Sequence, residues 1–307
     1  MKAARFSGFG SPDVLEIADL PEPHPGPGQV RIAVRAAGVN ASDWKKRQGL
    51  MDQELPQTLG HEAAGVVDEL GEGVSGVAVG DRVFGLSGGG AAQAESAVLD
   101  HYVRIPPSLD FATAAALPSA LETAARALDQ LGAGAGCTLV VNGASGSIGS
   151  AAVQLAVARG ARVIGTAGPA NHDYLRSLGA EPVSYGESMA ERVRALSPGG
   201  VDLALDVAGS GVLPELIGLT GAAANVVTIA DHTGALEHGV RFSRGDTGRA
   251  LYVLDEIGPL IEAGRFTPPT VRTFPLTDIA TAHRVGEAGH ARGKLVLLVD
   301  RADAGAS

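Results

Sequence analysis

The amino-acid sequence predicts an α/β protein of two domains, a doubly wound parallel sheet accompanied by a second, β-rich domain. Three observations predict it. Near the middle of the chain an apolar strand runs straight into a glycine-rich turn and a helix. Strands and helices alternate from there, and short strands separated by turns fill the first third and return near the end.

The chain has 307 residues, 45% hydrophobic and 19% charged, which suits two globular domains with ample core. The net charge is −10 and the isoelectric point about 5.3, which argues against a nucleic-acid or anionic-membrane surface. Any phosphate site must therefore be local. No apolar run approaches a membrane span, and residues 1–8 lack the apolar core of a signal peptide, so a cytoplasmic protein is expected. The single cysteine, Cys137, excludes an internal disulfide and a multi-cysteine metal lobe. Directly before an apolar strand, it is expected to be a packed thiol.

Residues 2–6, 14–17 and 30–34 are strand-like. They are separated by the Ser11-Pro12-Asp13 turn and by residues 21–28, whose prolines and glycines cannot form helix. Residues 63–70, 82–84 and 97–105 continue the pattern, so residues 1–112 read as a β-rich domain. From Phe111 the texture changes, and residues 112–131 read as one alanine-rich helix. Strand 138–141, a helix from Ile148 stopped by Gly160, strands 161–166, 201–206 and 225–229, and a helix 251–263 ending at Gly264 follow. This alternation assigns residues 113–264 to a parallel doubly wound sheet. Residues 265–307 return to strands at 271–274 and 294–299 around a helix at 277–287, and residues 302–307 are expected to fray.

The central turn reads Asn142-Gly143-Ala144-Ser145-Gly146-Ser147-Ile148-Gly149, a variant of the dinucleotide fingerprint with glycines three apart. A side chain at Gly146 would keep the backbone away from a pyrophosphate, and one at Gly149 would hold the helix off the strand. The helix N-terminus offers free N–H groups and a partial positive charge to phosphate. The preceding strand, the following helix and the strand after it supply the context that a lone glycine pattern lacks.

Several segments in order resemble the medium-chain dehydrogenase/reductase superfamily, and within it the zinc-independent NADPH:quinone oxidoreductase group. They are residues 38–45 (GVNASDWK), 59–67 (LGHEAAGVV), 79–85 (VGDRVFG), 116–118 (ALP), the glycine fingerprint, and 292–297 (RGKLVL). The resemblance implies a GroES-like catalytic domain from residues 1–112 and 265–307 and a Rossmann NADP(H)-binding domain from residues 113–264. It also implies a nicotinamide and a small-molecule substrate in the cleft between the domains, and a homodimer.

Zinc-dependent members place cysteines where this chain has Asn40 and in the region of Leu117-Pro118-Ser119. Catalytic zinc needs three protein ligands. Only His61 and the adjacent Glu62 survive, with Asp43 the one further carboxylate nearby, so no metal is expected and His61 reads as a hydrogen-bonded turn residue.

NAD enzymes carry an acid about 20 residues past the glycines to hold the ribose 2′-hydroxyl. Here the position reads Gly165-Thr166-Ala167-Gly168-Pro169, with no acid before Asp173. An acid would repel a 2′-phosphate, so NADPH is the expected cofactor. Asn142, Gly143, Ser145, Gly146, Ser147, Ile148, Gly149, Thr166, Asn171, Tyr185, Ala230, Asp231 and Lys294 are the candidate cofactor contacts, with Arg176 a further possible one. Tyr185 matches a tyrosine near the 2′-phosphate in related reductases, with a packed rim aromatic as its competing reading; Asn171 stands where a lysine is common, and the competing reading of Lys294 is a residue that only flanks a terminal strand. Arg292 and Gly293 match the same cofactor-proximal segment as Lys294. Residues 230–238 read as a loop after the fifth strand, lining the cleft, with His232 and His238 as general-acid candidates by chemistry alone.

The resemblance places Asn40 and Thr123 beside the nicotinamide and Lys45 where the group carries a tyrosine. Asn40 and Thr123 are assigned to orientation and Lys45 to stabilising or protonating the product oxygen. The competing reading of Lys45-Lys46-Arg47 is a solvated basic run. The expected reaction is hydride transfer from NADPH to a quinone or α,β-unsaturated carbonyl without zinc. The alternatives are a zinc-type alcohol dehydrogenase and a non-catalytic NADP(H)-binding protein.

Overall fold

A computed structural model describes residues 1–289 and 293–300. Arg292 and the terminal stretch 302–307 lie outside the described residues. The chain divides into two units, Met1–Ser119 with Pro268–Ser307, and Ala120–Thr267. The first opens with β1 (Lys2–Phe6), β2 (Glu16–Asp19), β3 (Val30–Val39), α1 (Ala41–Arg47), β4 (Gln57–Thr58) and β5 (Glu62–Leu70). It continues through β6 (Arg82–Leu86), β7 (Ser96–Leu99), β8 (His101–Arg104) and α2 (Phe111–Ala115). Then α3 (Pro118–Leu131) leads to β9 (Thr138–Asn142), α4 (Ser147–Ala158), β10 (Arg162–Ala167), α5 (His172–Ser177), β11 (Glu181–Ser184) and α6 (Met189–Leu196). After them come β12 (Leu203–Asp206), α7 (Leu213–Thr220), β13 (Val226–Thr228), α8 (His232–His238), β14 (Arg241–Phe242) and α9 (Val253–Glu262). The return to the first unit is β15 (Val271–Pro275), α10 (Ile279–Glu287) and β16 (Lys294–Leu298).

Among the described residues, the first unit has a largely antiparallel sheet in the order β15-β16-β3-β5-β6-β8, with β7 also on β3, and a smaller sheet β2-β1-β4. Strand β3 pairs with β16, β5 and β7. Its Val30, Ile32, Val34, Ala37 and Val39 join Phe6, Leu99 and Leu297 in one core. Burying a side chain of that size contributes about 1.5–3 kcal/mol. The second unit is a parallel sheet in the order β11-β10-β9-β12-β13-β14, which is 3-2-1-4-5-6 counted along the chain. That is the Rossmann order. The β-rich unit and the Rossmann unit agree with the fold class the sequence predicts.

Several elements differ from expectation. The single helix expected at 112–131 is two, because Pro118 lacks an N–H and biases Leu117 away from helix. Helix α2 packs on β3 and β5, so it belongs to the first unit and the division falls at Ser119, not 112. The second division falls at Thr267, not 264. The strand expected at 97–105 is β7 and β8, broken at Asp100, which accepts hydrogen bonds from Gln29 and from the Gly88 N–H. A turn of 3₁₀ helix at Pro12–Val14, with Pro12 in its first position, displaces the second strand to β2. Residues 230–238 are not a loop, since α8 forms there with Asp231 as N-cap, its carboxylate accepting from the Gly234 N–H at 2.8 Å. Cys137 is half-buried, not packed away. No helix among the described residues is long and apolar enough to cross a membrane.

Helices α1 and α10 meet through a buried polar contact. Arg47, only 1% exposed, pairs with Glu287, and Trp44 sets its edge against His283 at 6.3 Å between centroids. Arg47 is thus no part of a solvated basic run, and only Lys45 of the three is exposed. Both ring nitrogens of His283 are buried without a partner. Burial, with the Arg47 charge adding to it, lowers the His283 pKa to about 3. The folded imidazole stays neutral while the unfolded one takes a proton below about pH 6.5. Folding stability is therefore fully present above that pH and is lost as pH falls toward 3. His283→Leu removes the effect. In urea unfolding, wild type should lose on the order of 3 kcal/mol relative to the variant between pH 7.5 and pH 4. A parallel pH dependence of the two proteins would contradict this account.

Candidate active site

In the second unit the site is built on one row of polar residues. Thr166 of β10, Asn142 of β9, Asp206 of β12 and Thr228 of β13 are direct cross-strand neighbours at the C-terminal ends of their strands. All four are buried. The Thr166 hydroxyl donates to Asn142 Oδ1 at 2.7 Å, Asn142 Nδ2 donates to Asp206 Oδ1 at 2.9 Å, and the Thr228 hydroxyl donates to Asp206 Oδ2 at 2.7 Å. The row also holds the loops that leave the strands. The Gly143 N–H donates to Thr166 Oγ1, those of Ala208 and Gly209 donate to Asp206 Oδ1, and those of Ala230 and Asp231 donate to Thr228 Oγ1. Asn142 and Thr166 thus sit beneath the loops, committed to protein partners. Ala230 and Asp231 are half-buried at the mouth of α8.

Two of the three fingerprint glycines are required by close packing. Gly143 has φ of +82°, and a Cβ there would lie 2.8 Å from the Ala208 Cβ. A Cβ on Gly149 would lie 2.2 Å from the Gly143 carbonyl oxygen, so α4 could not keep its seat. Gly146 is the N-cap of α4 and supplies no side chain, which leaves the first-turn N–H groups of Ser147, Ile148 and Gly149 without a side-chain cap. Ser147 Oγ is buried without a partner, and Ser145 is half-buried in the turn. Unsatisfied donors at a helix N-terminus fit the pyrophosphate of a dinucleotide.

At the adjacent strand ends, Tyr185 is 66% exposed, and a Cβ on Gly168 would lie 3.7 Å from its ring. Asn171 is half-buried and its N–H closes a turn on the Gly168 carbonyl. Asp173, the first acid after β10, is on the exposed side of α5 and pairs with Arg176 at 2.6 Å. Thr123 is half-buried on α3, and His232 is exposed with its ring edge on Phe242 at 5.0 Å.

In the first unit the polar centre is Glu62, wholly buried at the start of β5. Its Oε1 lies 2.6 Å from the Lys294 ammonium and accepts from Asn40 Nδ2 at 2.8 Å, while Oε2 accepts from the Ser119 N–H at 2.7 Å. Lys294 also donates to Asn40 Oδ1. These bonds fix the Asn40 amide and leave its second N–H hydrogen without a partner among the described residues. Beside it, Asp43 accepts from the N–H groups of Asn40 and Gly60 and from Gln93. Burial pushes the Asp43 carboxyl above its ordinary range, and the His61 and Lys294 charges and these donors pull against it. The sequence-assigned Asn40 and Lys294 therefore come together. Glu62 and Asp43 were considered from sequence only as metal ligands, and their part in this network has no short-range signal in the chain.

Among the described residues no group of three or more His, Cys, Asp or Glu converges. Both Glu62 oxygens are committed, and an ammonium already stands against them.

Fold and site define the scaffold of a nicotinamide-cofactor oxidoreductase. A family model described as the alcohol dehydrogenase GroES-like domain matches residues 26–106, and one described as a zinc-binding dehydrogenase matches residues 178–297. The quinone oxidoreductase structure from Coxiella burnetii superposes with a TM-score of 0.85 at 32% identity, covering 98% of this chain and 99% of that one. The 2-methylene-furan-3-one reductase of Solanum lycopersicum is 32% identical over 97% of this chain and 79% of its own length. A spectinabilin polyketide synthase system protein, NorB, of Streptomyces orinoci is 37% identical over 95% of this chain, which spans 14% of that protein. The chain belongs to the medium-chain dehydrogenase/reductase superfamily.

Lys294→Met leaves the buried Glu62 carboxylate without its countercharge and should cost about 3–5 kcal/mol in urea unfolding. Adding Glu62→Gln should recover most of that loss. Equal losses in the single and double variants would contradict a compensated pair.

Proposed function

We propose that the protein is an NADPH-dependent reductase that delivers hydride to a quinone or an α,β-unsaturated carbonyl without a metal. The observation that supports this reading is the Lys294-Glu62-Asn40 centre, in which a cation and an amide donor surround one buried carboxylate. The quinone oxidoreductase and 2-methylene-furan-3-one reductase names of its relatives point the same way. The lack of an acid between Gly165 and Asn171 favours the 2′-phosphorylated cofactor.

The bound cofactor would supply the hydride. The α4 N-terminus, with Gly143, Ser145, Gly146, Ser147, Ile148 and Gly149, would hold its pyrophosphate, and Asn171, Tyr185, Ala230 and Asp231 would flank its two ends. Asn142 and Thr166 would fix the loops from below. Negative charge develops on the acceptor oxygen as hydride arrives, and donors that strengthen there lower the barrier. The free N–H of Asn40 would serve that task, backed by the Lys294 charge. Thr123 would orient the acceptor and Lys45, exposed on α1, would protonate the product oxygen. A homodimer, as the resemblance implies, belongs to the same proposal.

Fluorescence titration with NADPH and NADH, followed by a quinone, an enone and an enoyl thioester, tests the reading. NADPH should bind more tightly and be oxidised by at least one acceptor. Asn40→Ala should lower kcat by roughly a hundredfold to a thousandfold, in line with loss of one oriented donor, with NADPH affinity unchanged. Tight binding without oxidation by any acceptor would instead mark a non-catalytic nucleotide-binding protein.

A further inference from the structure

Helix α3 carries a buried ion pair that the site described above does not use. Glu122 and Arg126 stand one turn apart, and both side chains are only 7% exposed. Arg126 donates from Nε to Glu122 Oε1 at 2.9 Å and from Nη2 to Glu122 Oε2 at 3.4 Å. Its Nη1 donates to the Ser243 hydroxyl, and Glu122 Oε1 accepts from the Ala250 N–H at 3.3 Å. The pair therefore grips both ends of the loop from Ser243 to Ala250, one end by each partner. Within the loop, the ion pair of Arg244 with Asp246 at 3.1 Å is more than half exposed, and such a pair fixes little. The buried base decides where the loop lies. A buried ion pair is no better for stability than apolar side chains of the same volume, so what this one supplies is geometry.

The place of the loop gives that geometry a use. Strand β14 pairs in parallel with β13, so it ends on the same edge of the sheet as the polar row, and the Ser243 N–H donates to the carbonyl of Thr228, a member of that row, at 2.8 Å. Ligands of a doubly wound sheet sit outside that edge. Along it, β14 stands at the opposite end from β11. Thr123 follows Glu122 directly on α3. We propose that Glu122 and Arg126 are positioning residues for the reduction: through the 243–250 loop they fix a wall of the acceptor site and so set how the acceptor is presented to the nicotinamide. This rests on the reductase reading above. A reactant misplaced by about 1 Å loses on the order of a hundredfold in rate, so a loop released from its base is costly without touching the reacting atoms.

The test compares wild type, Arg126→Met and the double variant Glu122→Leu/Arg126→Met. Each is measured for urea unfolding, NADPH affinity, kcat/KM with the best of the quinone, enone and enoyl thioester acceptors, and limited trypsin digestion read by mass spectrometry. Arg126→Met should be the least stable, because Glu122 is left charged, buried and unpaired. The double variant should unfold close to the wild-type midpoint and bind NADPH as wild type does. Its kcat/KM should still be roughly tenfold to a hundredfold lower, and trypsin should cut it after Arg244 or Arg249 under conditions that leave wild type intact there. Recovery of kcat/KM together with stability in the double variant would reduce the pair to a structural role and overturn the proposal. Wild-type kcat/KM in a double variant that trypsin does cut in the loop would overturn it as well, by showing that the loop is freed without consequence. A wild-type protein that reduces none of the acceptors would overturn the reductase reading and this inference with it.

Discussion

The second unit depends on the hydrogen-bonded row Thr166-Asn142-Asp206-Thr228. A parallel sheet ends every strand with loops whose N–H groups have no ladder partner, and here those loops must also face a ligand. The row meets both needs. Each member bonds its neighbour across the sheet, and three of them accept from the backbone of the loop above. Asp206 is the most exposed to failure, because a buried carboxylate without a cation is tolerated only while its acceptor positions are filled. With the row in place, the glycine turn, the 207–209 turn and the start of α8 are fixed before any cofactor arrives, which reduces the ordering that binding must supply.

The first unit solves a related problem with opposite means. Glu62 is buried at the start of β5, held by one ammonium, one amide and one backbone N–H. Two of those donors, Asn40 and the Ser119 N–H, belong to the segments where zinc-dependent relatives carry ligands. Lys294 supplies the positive charge that faces the buried Glu62 carboxylate. Such a pair contributes little net stability but is costly to break, which suits a site whose geometry must not drift.

Much of this was legible in the chain. The strand, glycine turn and helix of residues 138–158 follow from local pattern, and so does the β texture on both sides of the Rossmann unit. Pro118 could have been read as a helix break, since its chemistry is local. The start of α8 carries no strong local signal, because Gly234, His232 and His238 are weak helix formers, and its cap by Asp231 becomes visible only once the helix is seen. The polar row was illegible for a deeper reason. Asp206 and Asn142 lie 64 residues apart and meet through strand register, which no window of sequence contains. The same holds for Lys294 and Asn40, 254 residues apart, although each was singled out separately.

In the proposed reaction the Lys294-Glu62-Asn40 centre supplies the charge stabilisation with no metal. The most direct measurement is NADPH oxidation by the best quinone or enone acceptor, in protein dialysed against a strong chelator and assayed for zinc by elemental analysis. An unchanged rate at a zinc content far below one per chain is expected. A rate that disappears on chelation and returns with added zinc would contradict it.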